Sequence, residues 1–170
     1  MFEPNRVLER LCDESGEDYR ARLPFLLPYF PIAVLEDWLC RHGNAVSLFG
    51  WLDYRQFRFS REEWQSVQVE SVMSSNEPTV EGWSQLFRES QCRRKNRLGA
   101  FMINEGTWPV PPIVLDNTNG ICSPAGQQLS RYHLLEGHHR LAYLRGLIAD
   151  PRWEVEPSHE IWLVTYNQDC

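Results

Sequence analysis

The residues best suited to chemistry lie in one short run, residues 136–140, which reads EGHHR. This run places a carboxylate, a glycine, two imidazoles and a guanidinium next to one another. The preceding residues, 132–135, are mostly apolar, which is typical of a buried strand. After the run, Leu141, Leu144 and Leu147 recur at helical spacing. The sequence therefore predicts a strand, a tight glycine turn and the first turn of a helix.

Such a turn has the physical make-up of a phosphate-binding site. The first turn of a helix has backbone N–H groups without intrahelical acceptors, and the helix dipole makes that end partly positive. Gly137 allows the backbone to approach a ligand closely, and His139 and Arg140 add side-chain donors at the same place. The alternative is a polar turn that is simply capped and exposed to water. That turn does not need a glycine between a carboxylate and three groups that can carry positive charge.

Each side chain of the run is suited to a chemical role. Arg140 is the strongest phosphate ligand, because a planar guanidinium matches two phosphate oxygens at once. Glu136 could hold Mg²⁺ directly or through water, fix a loop N–H, or pair with Arg140. His138 and His139 could donate to phosphate or transfer a proton, or one of them could pack beneath the turn.

Residues 136–142 (EGHHRLA) resemble the aspartate-glycine-histidine-histidine-arginine loop of the ParB/sulfiredoxin superfamily. Residues 108–116 (WPVPPIVLD) are similar to the proline and apolar strand that precede the loop in these proteins. The likeness spans roughly residues 65–166. It implies an α+β fold in which a small mixed sheet is flanked by helices, with a helical extension at the N-terminus.

The resemblance also implies a function, because the superfamily includes ParB-type CTPases, sulfiredoxin and free-serine kinases. For this chain it implies binding of ATP or ADP, with CTP as a further candidate, together with Mg²⁺, and transfer or hydrolysis of a phosphate. The nucleotide would bind at residues 136–140, Glu136 would hold the metal, and His138 and His139 would be candidate catalytic groups. The family loop commonly has aspartate where this chain has Glu136, which keeps the charge and lengthens the side chain.

A second carboxylate is implied by the same resemblance. The free-serine kinases of the superfamily have a glutamate in the loop after the first strand, where it looks like a general base for the substrate hydroxyl. Glu77 follows a predicted strand at residues 67–73 and falls in the matching place, so it is the candidate base for phosphate transfer. The alternative is that Glu77 is a surface charge exposed to water.

Other chemistries of the superfamily are disfavoured. Sulfiredoxin needs a cysteine directly after the loop glycine, where this chain has His138. ParB clamps carry a helix-turn-helix domain after the nucleotide domain, and this sequence ends at Cys170, shortly after the loop. The net charge of −6 argues against DNA binding and nuclease activity, which need a basic surface.

Composition and patterning indicate a cytoplasmic protein. The five cysteines are scattered, odd in number and without a Cys-x-x-Cys pair, which argues against a disulfide framework. No basic and apolar leader opens the sequence, so we expect no signal peptide. The most apolar stretch, residues 23–39, is broken by prolines and is too short to span a membrane.

The chain is predicted to have two parts. Residues 1–64 would form a helical, aromatic-rich extension, and residues 65–170 the nucleotide-binding domain. Aromatic residues are dense between Phe49 and Phe59, where they could form core or a face for a partner protein. The alternative function is therefore a non-catalytic interaction module that binds a toxin, phage or defence partner through this N-terminal region.

Periodicity and capping signals predict several elements of the N-terminal half. An apolar helical stripe over residues 32–39 stops at Gly43. Residues 60–63 read as a capping box that opens a helical turn through Trp64. The alternating apolar pattern of residues 67–73 then predicts a strand.

Further elements are predicted in the C-terminal half. Thr79 would cap a helix on which Trp83, Leu86 and Phe87 face inward. The basic cluster near the end of this helix consists of Arg93, Arg94, Lys95 and Arg97. This cluster is either a solvated helix terminus or a site for an anionic ligand. Strands are predicted at residues 113–115, 132–135 and 161–166, the first two as neighbours, and a helix at 138–149.

Overall fold

The computed structural model describes residues 4–42 and 48–167. Within those residues the fold is α+β, with a small mixed sheet flanked by helices, as predicted. The sheet has the strand order β1-β4-β2-β3. Its strands are β1 (Phe57–Gln65), β2 (Ile113–Asp116), β3 (Tyr132–Glu136) and β4 (Ser158–Tyr166).

The helices vary from one turn to more than three. They are α1 (Gly16–Leu26), α2 (Ile32–Val34), α3 (Ser66–Glu70), α4 (Glu77–Glu89), α5 (Gln91–Lys95), α6 (Arg97–Glu105) and α7 (His138–Ile148). Helix α2 continues as a π-helical turn, Leu35–Cys40, so the predicted helix over residues 32–39 is confirmed. Its predicted end at Gly43 lies outside the described residues.

The chain divides into two compact units. The first contains the segment up to Phe59, Cys122–Gln127 and the segment from Val164 onward, and the second contains Ser60–Ile121 and Gln128–Leu163. The first change of unit therefore lies between Phe59 and Ser60, five residues before the predicted domain boundary after residue 64. Two later segments, which the sequence placed with the domain, belong to the first unit.

Aromatic side chains form much of the core of the first unit. Tyr54 and Phe57 are fully buried, with their ring centroids 5.0 Å apart. The ring centroids of Phe30 and Phe59 are 4.6 Å apart in an edge-to-face arrangement, and those of Trp38 and Tyr54 are 5.2 Å apart. Such ring pairs add to the stabilisation that comes from burying apolar area. One of the two roles predicted for the aromatic stretch, that of core, is thus confirmed at Tyr54 and Phe57.

Two predicted strands are neighbours in the second unit. β2 and β3 pair in antiparallel register, with Val114 opposite Leu134 and Leu115 opposite His133. Both strands and their pairing were predicted, and both are confirmed. Met73 adds a single parallel bridge to His133. The chain ahead of α4 therefore runs beside β3 and in the same direction.

Helices α4 and α7 approach each other closely because Gly146 has no side chain. A Cβ at Gly146 would lie 2.9 Å from Cδ1 of Phe87 and 3.2 Å from the carbonyl oxygen of Ser84. Both of these α4 residues are buried. The glycine thus sets the separation of the helix that begins at Glu77 and the helix that follows the 136–140 turn.

The predicted strand at residues 67–73 is wrong, since α3 occupies most of it. Val69 and Val72 are each 1% exposed, whereas Val67 is 71% exposed. Val69 is the buried residue of α3, and Val72, just beyond the helix, donates its N–H to the Val69 carbonyl at 3.1 Å. The alternating set, which included exposed Val67, therefore does not mark a buried strand face, and of residues 67–73 the bridge to β3 involves Met73.

The predicted helical turn at residues 60–64 is also wrong, because these residues continue strand β1. The Ser60 hydroxyl donates to the Glu62 carboxylate at 3.0 Å, instead of accepting a backbone N–H as a capping residue would. Arg61 forms an ion pair with Glu160 of β4. Pairing with a strand that lies far along the chain therefore overrides the local capping signal.

Helix α4 begins at Glu77, so its N-cap residue is Asn76 and the predicted cap, Thr79, lies inside the helix. The Thr79 hydroxyl instead donates to the Asn76 side chain at 2.8 Å. Phe87 is buried as predicted, whereas Leu86 is 45% exposed and does not face inward.

The apolar stretch at residues 23–39 is divided between α1 and α2. Among the residues that the structure describes, no helix is both long enough and apolar enough to cross a membrane. This agrees with the prediction made for that stretch.

Candidate functional site

The 136–140 turn has the predicted form, with strand β3, a glycine and helix α7 in succession. Gly137 is the N-cap residue of α7, and its φ of 102° lies in the left-handed region that glycine tolerates. A Cβ at this position would lie 2.6 Å from Cβ of Pro112 and 3.1 Å from Nε of Arg140. Both the backbone conformation and the lack of space therefore require glycine.

The first turn of α7 is closed by a backbone hydrogen bond from Leu141 N–H to the Gly137 carbonyl, at 2.9 Å. Gly137 has no side chain with which to cap the N-terminus of this helix. Helix α7 has eleven residues, so its aligned peptide dipoles make this end partly positive. The start of α7 is thus suited to an anionic ligand.

Arg140 is buried within the turn and pairs with Glu136, one helical turn before it. The side chains of Arg140 and Glu136 are 10% and 15% exposed. Pairing with Arg140 was one of the roles that the sequence left open for Glu136. A buried guanidinium needs such a partner, and the pair holds the guanidinium in a defined position beside Gly137.

A magnesium site on this turn could draw on a single protein carboxylate, Glu136. Within the described residues, no group of three or more His, Cys, Asp or Glu side chains is placed to hold a metal ion. Mg²⁺ that accompanies a nucleotide commonly uses one or two carboxylates, with phosphates and water as its other ligands. The donor set therefore fits a nucleotide-borne Mg²⁺, provided that Glu136 shares its charge between the metal and Arg140.

His139 stacks on Trp83 of α4, with ring centroids 4.0 Å apart and an angle of 17° between the rings. It also lies edge-on to Tyr143 at 6.0 Å. Partial burial lowers the pKa of His139 below its ordinary value, and the positive charge of Arg93 lowers it further. The imidazole is therefore neutral at neutral pH and forms an aromatic stack beside the turn.

The basic cluster on α5 lies close enough for its charge to act on His139, through Arg93. Arg93 and Arg94 are half-buried, and Arg94 donates to the carbonyl oxygens that end α4. Lys95 is exposed. Arg94 thus lies at a helix end, where the sequence predicted cations, but it is half-buried and not fully solvated. The charge of Arg93 adds to the positive potential at the turn.

Glu77, the predicted general base, is joined to a different arginine of α7. Its Oε1 accepts a hydrogen bond from Arg145, and its Oε2 accepts one from the Ser74 N–H at 2.8 Å. The structure therefore brings residues 136–140 together on one turn, while Glu77 lies on the neighbouring helix α4 with both oxygens engaged. Its role as a base stays a prediction.

Sequence reasoning missed His133, which lies inside β3 and is 3% exposed. Its Nε2 lies 2.9 Å from Oγ of Ser75, and its Nδ1 lies 3.1 Å from Oγ of Ser130. Burial lowers its pKa to about 4, and the charge of half-buried His138 acts in the same direction. The available signal was a lone histidine in an otherwise apolar strand.

Comparison of the chain with known protein families, with curated proteins and with solved structures found no match. The resemblance to the ParB/sulfiredoxin superfamily therefore rests on the motif at residues 136–142 and on the residues that precede it.

Proposed function

We propose that the second unit binds a nucleoside di- or triphosphate at the 136–140 turn, with ATP or ADP as the first candidates and CTP as a further one. The observation that supports this is the left-handed Gly137 at the start of α7, with the buried guanidinium of Arg140 three residues later. Backbone N–H groups, a positive helix end and a fixed guanidinium together favour phosphate oxygens.

Each residue of the turn has a place in this proposal. Arg140 binds phosphate while it remains paired with Glu136, because a guanidinium has five N–H donors and can hold a carboxylate and a phosphate at once. His138 and His139 are further donors or proton carriers at the same helix end. Glu136 is the carboxylate that would hold Mg²⁺, and the metal would neutralise charge on the phosphates.

The terminal phosphate of the nucleotide would then pass to a hydroxyl group or to water. Glu77 is the candidate base for that step, and its helix α4 packs against α7 at Gly146. The carboxylate oxygens of Glu77 accept hydrogen bonds from Arg145 and from the Ser74 N–H. We infer that a substrate which engages Arg145 would release the carboxylate.

Titration calorimetry with ATP, ADP and CTP, each with and without Mg²⁺, tests the binding proposal. We expect the wild type to bind, and Arg140→Lys to lose about 1.5–3 kcal/mol of binding free energy, because lysine keeps the charge but not the paired donors. Arg61→Ala removes an exposed arginine elsewhere in the second unit and should bind as the wild type does. A wild type that binds no nucleotide at millimolar concentration would overturn the proposal.

A second candidate function, docking of a protein partner, is favoured by a groove in the first unit. The groove has a volume of about 320 Å³ and is lined in part by Phe25, Tyr29 and Arg55. Phe25 is 85% exposed and Tyr29 is 59% exposed. Arg58 places its guanidinium 3.9 Å from the centre of the Tyr29 ring. Exposed apolar side chains beside a groove are a common feature of protein interaction sites.

Site-specific photo-cross-linking in cells tests the docking function. A photoreactive amino acid at position 25 should give one discrete protein adduct, whereas the same amino acid at exposed Gln85 of α4 should not. Equal labelling patterns at the two positions would remove the support for a docking groove.

A further inference from the structure

Ser75 carries a hydroxyl group that is bound to a buried histidine. Ser75 is exposed, and its Oγ lies 2.9 Å from Nε2 of His133. On the other side of the ring, Nδ1 lies 3.1 Å from Oγ of Ser130. A buried imidazole is therefore held between two hydroxyl groups, one of which belongs to an exposed residue.

The hydrogen bonds of Ser130 determine which ring nitrogen of His133 carries the proton. The Ser130 hydroxyl donates to the Tyr132 carbonyl at 3.0 Å, and a hydroxyl has one hydrogen to donate. Its contact with Nδ1 must then be a bond donated by Nδ1–H. In the neutral ring Nε2 is therefore an acceptor, and the Ser75 hydroxyl donates to it.

This arrangement is that of a hydroxyl nucleophile and its general base. The ring is uncharged at neutral pH, because burial and the charge of His138 depress the pKa of His133 more strongly than Glu77 raises it. A neutral imidazole whose Nε2 points at a hydroxyl can take the proton as that hydroxyl attacks an electrophile.

A second buried histidine of the same unit shows the opposite polarity. His159 lies between Ser66, at 3.1 Å from Nε2, and Thr107, at 2.9 Å from Nδ1. The Ser66 hydroxyl donates to the Glu156 carbonyl at 3.3 Å, so it receives a hydrogen bond from His159 and gives none to it. Ser66 therefore serves as a control for Ser75. It also contacts a buried histidine, but that histidine does not accept its proton.

Ser75 also lies toward the same end of β3 as the glycine turn. Met73 is bridged in parallel to His133, so Ser75, two residues after Met73, lies in the direction of Gly137, four residues after His133. Ser75 itself lies in the turn that leads from this bridge into α4, with its hydroxyl beside β3.

We propose that Ser75 accepts a phosphoryl group from the nucleotide bound at the 136–140 turn, with His133 as its general base. This inference rests on the proposed function and adds Ser75 as an acceptor with its own base, His133, so that the role proposed for Glu77 concerns transfer to an external hydroxyl or to water. The substrate class is a nucleoside triphosphate, and the product is a phosphoserine on this chain.

The transfer balances without any further reactant. Oγ of Ser75 forms a bond to the terminal phosphorus, the bond from that phosphorus to the bridging oxygen breaks, and the nucleoside diphosphate leaves with the electron pair. The hydroxyl proton passes to Nε2 of His133, while Nδ1–H stays bonded to Ser130. The phosphoserine then precedes the N-terminus of α4, where the helix dipole favours negative charge.

Incubation of the full chain with Mg²⁺ and γ-labelled ATP or CTP, followed by peptide mass spectrometry, tests the inference. We expect one phosphoryl group on Ser75, none in Ser75→Ala, and unchanged labelling in Ser66→Ala. His133→Gln should slow labelling by about 10²–10⁴-fold, the usual effect of losing a general base. Ser130→Ala keeps the imidazole of His133 but removes the hydroxyl that orients it. This variant should slow labelling and shift the pH profile of labelling, and it remains informative if His133→Gln does not fold.

Calorimetry with a non-hydrolysable triphosphate separates this inference from the proposed function. Binding by the wild type and Ser75→Ala, without phosphate on Ser75, would overturn the inference and leave the proposed function in place. Absence of binding would overturn both. Labelling of Ser75 that neither His133→Gln nor Ser130→Ala slows would overturn the role of His133.

Discussion

At the residue scale, two independent features require glycine at position 137: its backbone conformation and the atoms packed around it. Its φ of 102° excludes most residues with a side chain, and Pro112 occupies the space that a Cβ would need. The same absence of a side chain means that no side-chain group of residue 137 caps the start of α7.

Gly137→Ala should lower the free energy of unfolding by about 1–3 kcal/mol, the usual cost of a left-handed conformation for a residue other than glycine. The contact with Pro112 should add to that cost, and nucleotide binding should weaken with it. Urea denaturation and calorimetry measure the two effects.

The control is Gly82→Ala in α4, where an added Cβ would meet no atom within 4 Å. It should raise the free energy of unfolding by about 0.5–1 kcal/mol, because alanine favours a helix interior over glycine. If both alanine variants were equally stable, the strain assigned to Gly137 would be wrong.

At the element scale, strand β3 carries a buried titratable group, and the stability of the protein should therefore depend on pH. His133 has its pKa lowered to about 4 by burial and by His138, whereas an unfolded chain titrates near the ordinary value of 6.5. Between these values the unfolded state binds more protons than the folded state. The contribution of His133 to stability is therefore fully present above about pH 6.5 and is lost as the pH falls toward about 4.

Urea denaturation at neutral pH and at about pH 4.5 should show this loss, which a shift of this size limits to about 3 kcal/mol. His133→Gln should reduce the pH dependence, because it removes a buried histidine whose pKa is lowered to about 4. His139→Gln in α7, where the pKa of the imidazole is also lowered, is the comparison and should retain most of the dependence. An unchanged slope in His133→Gln would assign the pH dependence to other groups.

Helix α4 carries the second element-scale prediction, which concerns Glu77. Glu77→Gln should leave nucleotide affinity nearly unchanged and lower turnover on a hydroxyl acceptor or water by about 10²–10⁴-fold, the usual loss for a general base. Steady-state kinetics together with calorimetry measure the two quantities. Glu81→Gln, at an exposed position on the same helix, is the control.

The bond between Glu77 and Arg145 provides a second test of the same residue. If Glu77 serves only to anchor Arg145, Glu77→Gln should lower the melting temperature while turnover stays at the wild-type level. Full activity of that variant would exclude Glu77 as the base.

At the scale of the whole molecule, the chain builds two cores of different character. The second unit combines apolar side chains from β2, β3, α4 and α7, whereas the first relies on aromatic rings around Phe57. Phe25, by contrast, is 85% exposed in the same unit.

Phe57→Ala should therefore lower the free energy of unfolding by about 3–5 kcal/mol, as is usual for loss of a buried phenylalanine. Phe25→Ala should change it by no more than about 0.5 kcal/mol. Urea denaturation followed by tryptophan fluorescence compares the two. Similar losses in both variants would show that Phe25 is packed rather than exposed.

The sequence by itself determined the features that depend on near neighbours along the chain. The apolar spacing after Arg140, the glycine and the preceding apolar residues were sufficient to predict β3, the turn and α7. Residues 113–115 were predicted as a strand for the same reason, and so was its pairing with β3, because a turn-rich loop joins the two. In each of these elements local preference and tertiary packing agree.

Only the tertiary structure decided the features that depend on distant residues. Ser60 to Trp64 became strand because β4 lies beside them, against the local capping signal. The bond between Ser75 and His133 joins residues 58 positions apart, and that between Glu77 and Arg145 joins residues 68 positions apart. The partner of a carboxylate or an imidazole is one of the side chains that folding brings close to it. The spacing of residues along the chain does not predict which side chain that is.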